Sequence, residues 1–154
     1  MPGPVTSAAN IIAVPLTVTA SSAYSAGNAV GGLTAIATGL DQSRTVILTD
    51  VVVDVKSTQT GEIDLIFFNA WPSSTTVTDK SAIAVNAADS AKVQGVVALT
   101  SYISLGTPTA YYANGLSTCL SVDPIGTLWM AAVTRGTPTF TATSDVTVIL
   151  KVVQ

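Results

Sequence analysis

Histidine is absent from this 154-residue chain, cysteine occurs once, and charged residues make up only 10%. Each shortage excludes something. Without histidine the commonest general base, nucleophile activator and metal ligand are missing. A Ser-His-Asp or Cys-His site cannot be built within the chain. The lone Cys119 cannot form an internal disulfide. With no histidine beside it, Cys119 is a poor thiolate nucleophile and is expected as a small, half-buried strand residue. The chain is accordingly expected to be made and folded in a reducing cytosol, with stability from packing or assembly.

Positive charge is scarce as well. Arg44, Lys56, Lys80, Lys92, Arg135 and Lys151 are scattered singly, and the net charge is −3. Nucleic-acid binding through phosphate neutralisation is therefore not expected, nor is attraction to an anionic membrane. No apolar run approaches the roughly 18 residues of a membrane-spanning helix. The first residues, MPGPVT, carry no basic segment followed by an apolar one, so no secretory signal is expected.

What the chain has is apolar and hydroxyl-bearing. Hydrophobic residues reach 48%, while ordinary domains carry about 25% charged residues against the small share here. Ser, Thr, Ala and Asn take the place of surface charge. Such a surface suits a protein largely covered by partners.

Short runs rich in Val, Ile and Thr, broken by Gly and Pro, predict strands throughout. Residues 12–19 alternate, with Ile12, Val14, Leu16 and Val18 on one face, and Pro15 on the other marks an edge or a bulge. A short strand is expected within 32–38. The longest candidate covers 45–56, with Ile47, Thr49, Val51, Val53 and Val55 inward and Asp50, Asp54 and Lys56 opposite. Residues 62–69 read as its hairpin return, pairing Lys56 with Glu62, Val55 with Ile63 and Val51 with Phe67. A helical turn capped by Asn86 is expected over 86–92, then a strand over 93–100. Asn114-Gly115 predicts a two-residue hairpin turn between 109–113 and 116–122. Residues 125–134 are apolar on both faces, with Trp129 and Met130 on opposite sides. This strand is either central or meets a partner with its outer face. Residues 145–153 form the last strand. The expected fold is all-β, an antiparallel sandwich of jelly-roll type with at most a short helical turn. One domain spans 11–154 behind an extended arm over 1–10. Gly106-Thr-Pro-Thr109 and Gly136-Thr-Pro-Thr139 read as a recurring turn and not as a duplication.

The hairpin register would place Asp54 beside Asp64. Two such carboxylates serve as a solvated face, a partner contact or, with Glu62 and Asp50, ligands for a cation such as calcium. Gly27 to Gly32 lacks the lysine and helix of a phosphate loop and reads as a kinked connection. Phe68, Trp71 and Tyr112 are outward aromatics that suit stacking on sugars or covering a neighbour. No catalytic, cofactor or metal set emerges, and the chain is expected not to be an enzyme.

The stretches VTASSAYSAGNAVGG (18–32), IDLIFFNAWPSSTTVTDKSAIAV (63–85), DSAKVQGVV (89–97) and RGTPTFTATSDVTVILKVVQ (135–154) resemble a family of small virion structural proteins of tailed bacteriophages and prophages. The resemblance runs in order along most of the chain and rests on structural motifs. It implies a capsid decoration, or cement, protein that binds the outer surface of the major capsid protein shell and bridges capsomers. It also implies a homo-dimer or homo-trimer on the virion, made in the bacterial cytoplasm, with no cofactor, nucleic acid or membrane partner. The pattern has Asp or Asn before Pro72, where this chain has Trp71. The contact residues expected are Phe68, Trp71, Pro72, Tyr112, Trp129 and Met130. The competing expectation is a carbohydrate- or host-binding head-fibre or tail module. A hydrolase using Asp54 with Asp64 or Glu62 is a further, lesser alternative.

Overall fold

Alternation of β-branched and polar residues produces strands wherever it was read in the sequence. The computed structural model describes residues 9–39 and 44–154. Among the described residues there are ten strands: β1 (Ala9–Leu16), β2 (Thr34–Ala37), β3 (Thr45–Val55), β4 (Ile63–Phe68), β5 (Val93–Leu99), β6 (Ser101–Ser104), β7 (Thr109–Ala113), β8 (Thr118–Ser121), β9 (Thr127–Thr134) and β10 (Val146–Val153). The helical turn is a 3-10 turn over Ala87–Lys92, and the Asn86 side chain accepts its cap bond from the Ala88 N–H. Most of the expected arm, residues 1–8, lies outside the described residues, while Ala9 and Asn10 already belong to β1.

The strands form two antiparallel sheets. The six-stranded sheet runs β1-β10-β3-β7-β6, with β8 also pairing β3, and the four-stranded sheet runs β2-β9-β4-β5. Their inner faces meet in one core. Val51, Val53, Val55, Tyr111, Val148 and Leu150 come from the first sheet, and Ile36, Leu65, Phe67, Leu128, Met130 and Val97 from the second. The fold is therefore an all-β sandwich. As expected, β1 is an edge strand with Pro15 on its exposed face, and β9 is central.

Three sequence expectations are corrected. First, β3 and β4 are not a hairpin. They lie in opposite sheets, so Ser57 to Gly61 is an arch across the sandwich. Val51, Val53 and Val55 of β3 and Ile63, Leu65 and Phe67 of β4 are buried as assigned, because either arrangement satisfies the same alternation. Second, β7 and β8 do not pair with each other. Both pair with β3, Val55↔Thr109 to Val51↔Ala113 and then Leu48↔Thr118 to Thr45↔Ser121. They behave as one strand interrupted at Asn114 to Ser117, with Gly115 at φ +67°. Third, the inward face of β3 changes parity. Lys151 pairs with Asp50 and Val152 with Leu48, leaving Thr49 as a bulged extra residue. Val46 and Leu48 are buried, and Ile47, expected inward, is 40% exposed. The short strand β6 was not anticipated. The chain crosses from one sheet to the other at Thr100, between β5 and β6.

The arch is fastened at Gln59. Its backbone N–H donates to Thr109 Oγ1 at 2.9 Å, and its side-chain amide both donates to Thr139 O and accepts from Thr139 N–H. The two Gly-Thr-Pro-Thr segments thus converge on one buried glutamine. Beside it the backbones of Gly61 and Gly136 touch: a Cβ on Gly61, at φ +101°, would lie 2.8 Å from Gly136 Cα.

Candidate interaction surface

Two long connections, residues 17–33 and 69–92, are bridged to each other at Asn28↔Ala82 and Ala29↔Asp79, and the first is also bridged to β9 at Ala29↔Val133. Asp79 joins them. Its carboxylate accepts from the Thr19 N–H (2.8 Å) and hydroxyl (2.7 Å), from the Tyr24 hydroxyl (2.7 Å) and from the Gly31 N–H (2.6 Å). The Tyr24 hydroxyl in turn accepts from Thr19 N–H, and its ring packs edge-on against Phe140 with centroids 5.1 Å apart. Burial, and then the bond to Asp79, push the Tyr24 hydroxyl pKa up to about 12. Gly31 sits at φ +76°, which glycine adopts freely. The glycine-rich stretch is therefore a kinked connection tied by a carboxylate. Nothing in its spacing pointed to Asp79, which lies 48 residues away.

A second carboxylate organises the Trp71 loop. Asp89 is buried and accepts from the Ser74 N–H, the Thr75 hydroxyl and Lys92 Nζ at 2.7–2.8 Å. The Lys92 ammonium foremost, then the Thr75 and Ser74 donors, hold its carboxyl below the usual range against the opposing effect of burial. Lys92 Nζ also donates to the Trp71 carbonyl at 2.9 Å. Trp71 stacks on Trp129, centroids 6.4 Å apart at 28°, and stays 60% exposed. The Trp129 indole N–H donates to Asp123, whose other oxygen caps the turn at Ile125 and Thr127. This is an exposed indole on a supported platform.

The other contact residues read from the sequence separate. Phe68 points away from the main core but is fully buried opposite Trp129, so it caps this chain's own sheet. Met130 is fully buried in the core and Pro72 is buried. These three are corrected from contact residues to interior ones. Ala131 and Val133, on the outer side of β9, are buried too, so that strand's outer face is not free. Tyr112 is exposed on the outside of the six-stranded sheet.

The carboxylate pair does not exist. Asp54 lies opposite Thr147 and Ala110 in one sheet. Asp64 lies in the other sheet and is bound by Arg135 Nε at 2.6 Å. Among the described residues no group of three or more His, Cys, Asp or Glu is placed to hold a metal ion. Cys119, expected half-buried, is exposed because β8 follows the flipped parity of β3 and pairs it with Ile47. An open groove of about 400 Å³ in the 69–92 connection is lined by Ser74, Thr76, Thr78, Ser81 and Asn86 with small apolar residues, and no titratable side chain lines it.

The outer face of the six-stranded sheet is different in kind. Register rows across it read Ala13, Ile149, Val52, Tyr112 and Ser101, then Pro15, Thr147, Asp54, Ala110 and Ile103. Ile11 projects beside them. Asp50, Asp54 and Lys151 are the charges these rows and the adjacent Ile11–Lys151–Asp50 row contain. No protein-family profile matches the chain, and no curated protein matches it.

Proposed function

We propose that this chain is a phage capsid decoration protein, which docks on the shell of the major capsid protein and stabilises the head by bridging capsomers. The observation that carries this reading is the sparsely charged outer face of the six-stranded sheet. A row such as Ala13, Ile149, Val52 and Tyr112 offers area without the charges that keep most surfaces apart. The virion-protein resemblance of 18–32, 63–85, 89–97 and 135–154 supports the same reading. So does the strand order. With β6 and β8 set aside, eight strands remain. One sheet reads first, eighth, third, sixth and the other second, seventh, fourth, fifth. That order supports the jelly-roll form of the sandwich, a fold of two Greek keys common in viral shells. The protein acts by contact and not by catalysis, on the capsid surface, after synthesis in the bacterial cytoplasm.

Quantitative mass spectrometry of purified heads tests this. A fixed ratio to the major capsid protein is expected, with loss of the protein lowering the temperature at which heads rupture. Detection on tails alone, or absence from particles, would defeat the reading.

A second reading rests on Trp71. An exposed indole held by a stack and by a lysine–carbonyl bond suits a sugar-binding platform. On this reading the chain is a host-binding fibre or tail module, and glycan-array binding should vanish in Trp71→Ala. Silence on such arrays would leave the decoration reading alone.

A further inference from the structure

Between Lys92 and Asp123 the chain carries no charged residue. Those residues supply β5 and β6, the outermost strands of the two sheets on one side, together with β7 and β8 next to them. In a molecule with net charge −3 these residues bring no charge of their own to one lateral flank, and the nearest carboxylates belong to neighbouring strands, Asp50 and Asp54 on β3 and Asp64 on β4. Nine large apolar side chains are exposed among the described residues, and five of them, Val96, Tyr102, Ile103, Leu105 and Tyr112, belong to this segment. Exposed apolar surface is thus concentrated where charge is missing.

At the centre of the flank is β6. Among the described residues it pairs with β7 alone, and all four of its residues are exposed. An edge strand offers unpaired N–H and C=O groups to any extended chain. Proteins usually block such an edge with lysine, proline, a bulge or an inward charge. Ser101-Tyr-Ile-Ser104 has none of these, and its register with β7 is continuous from Ser101↔Tyr112 to Ser104↔Thr109. The opposite edge of the same sheet, β1, is guarded by Pro15.

We propose that this flank is a self-association surface, in which β6 pairs antiparallel with β6 of a second copy about a two-fold axis. Charge favours a second copy as the occupant. Two molecules of like net charge meet here without bringing any Asp, Glu, Lys or Arg of this segment together. The pairing is self-complementary, as a two-fold contact requires. A register centred on Ile103 keeps both outer faces on the same side. It sets the two Ile103 side chains against each other and Tyr102 opposite Ser104 of the second copy, a favourable arrangement for cross-strand contacts. Leu105 extends the apolar contact at each end. The two sheets then continue as one, and the apolar outer rows run across both copies. This inference stands on the flank alone and does not rest on the capsid reading. A dimer of a protein absent from heads would keep the one and remove the other.

Sedimentation velocity of the purified full chain, from about 1 μM to 1 mM, tests it across the range of transient to moderate affinity. A reversible monomer–dimer equilibrium is expected. Ile103→Lys and Leu105→Lys should each weaken the dimer by about tenfold or more, since an edge lysine is a natural block to pairing. Ile103→Val should keep the dimer. Ile11→Lys, a still more exposed apolar site on the far edge, should leave it unchanged. Thermal melts read by circular dichroism establish that each variant folds. In hydrogen exchange, amides of Ser101–Ser104 should gain protection as concentration rises. A wild-type chain that stays monomeric would overturn the proposal, even if it captured another protein's strand. So would a dimer that survives Ile103→Lys, or one lost equally in Ile11→Lys.

Discussion

Asp79 ties the connection of residues 17–33 to that of residues 69–92. It satisfies the Gly31 N–H and the Tyr24 hydroxyl as well as both donors of Thr19. Asp79→Ala removes a charged acceptor and leaves those donors to find water, which is expected to cost roughly 2–4 kcal/mol in urea unfolding. Asp79→Asn should cost less, because its carbonyl oxygen retains part of the set. Trp71→Ala should cost only about 1 kcal/mol, the scale of one aromatic pair, since the indole is mostly in water already. Met130→Ala should cost about 2–5 kcal/mol by opening a cavity in a sealed core. The same pair of residues, Trp129 and Met130, was read correctly from the sequence as lying on opposite sides of a strand. What lies over Trp129 was not legible, because the Trp71 loop is 58 residues away and reaches it only through folding.

Titration belongs to the same scale. The Asp89 carboxyl is held below its ordinary value by Lys92 and its hydroxyl and amide donors. Asp145 is held down too: burial opposes this, but the Thr141 hydroxyl and N–H outweigh it. A carboxyl with a lowered folded pKa stabilises the fold above the unfolded value, about 3.9, and this is lost as pH falls through the folded pKa. Tyr24 and Tyr111 shift the other way, burial pushing each up to about 12 from 10.0. Their contribution is complete below pH 10 and disappears as pH rises towards 12. Calorimetry across pH should therefore give a plateau with a fall on either side. Asp145→Asn should flatten the acid limb, and Tyr24→Phe the alkaline one. Unchanged limbs in both variants would contradict these assignments.

At the scale of elements, the arch from β3 to β4 is the instructive feature. Its five residues fit a hairpin loop by length, and the facing pairs Val55–Ile63 and Val51–Phe67 look right by alternation. Alternation says which face is buried but not which sheet a strand joins. The contacts that decide are non-local: Gln59 to Thr109 and Thr139, and Gly61 against Gly136. Gly61→Ala puts a Cβ into the Gly136 backbone at a positive φ and should cost roughly 2–4 kcal/mol in chemical unfolding. Gly115→Ala, at φ +67° with open space around it, should cost only about 1–2 kcal/mol. Equal losses at the two sites would show that the close approach contributes nothing. The bulge at Thr49 is the other lesson. One extra residue turned Ile47 and Cys119 outward, and a strict period of two cannot foresee it.

For the whole molecule, the strand content and the two buried faces follow from the periodicity of Val, Ile and Thr. The absence of a histidine-based site follows from composition alone. These are local or additive properties, and a linear chain carries them openly. Tertiary structure decided the rest. It separated Asp54 from Asp64 by placing them in different sheets, and so dissolved the carboxylate pair. It sealed Phe68 and Met130 inside and left Trp71 outside, though all are large apolar residues near strands. It gathered the uncharged residues 93–122 onto one flank with an open edge at β6. Such outcomes depend on which strands become neighbours, and neighbours in a sandwich are chosen by packing and loop closure across the whole chain, which no short window of sequence contains.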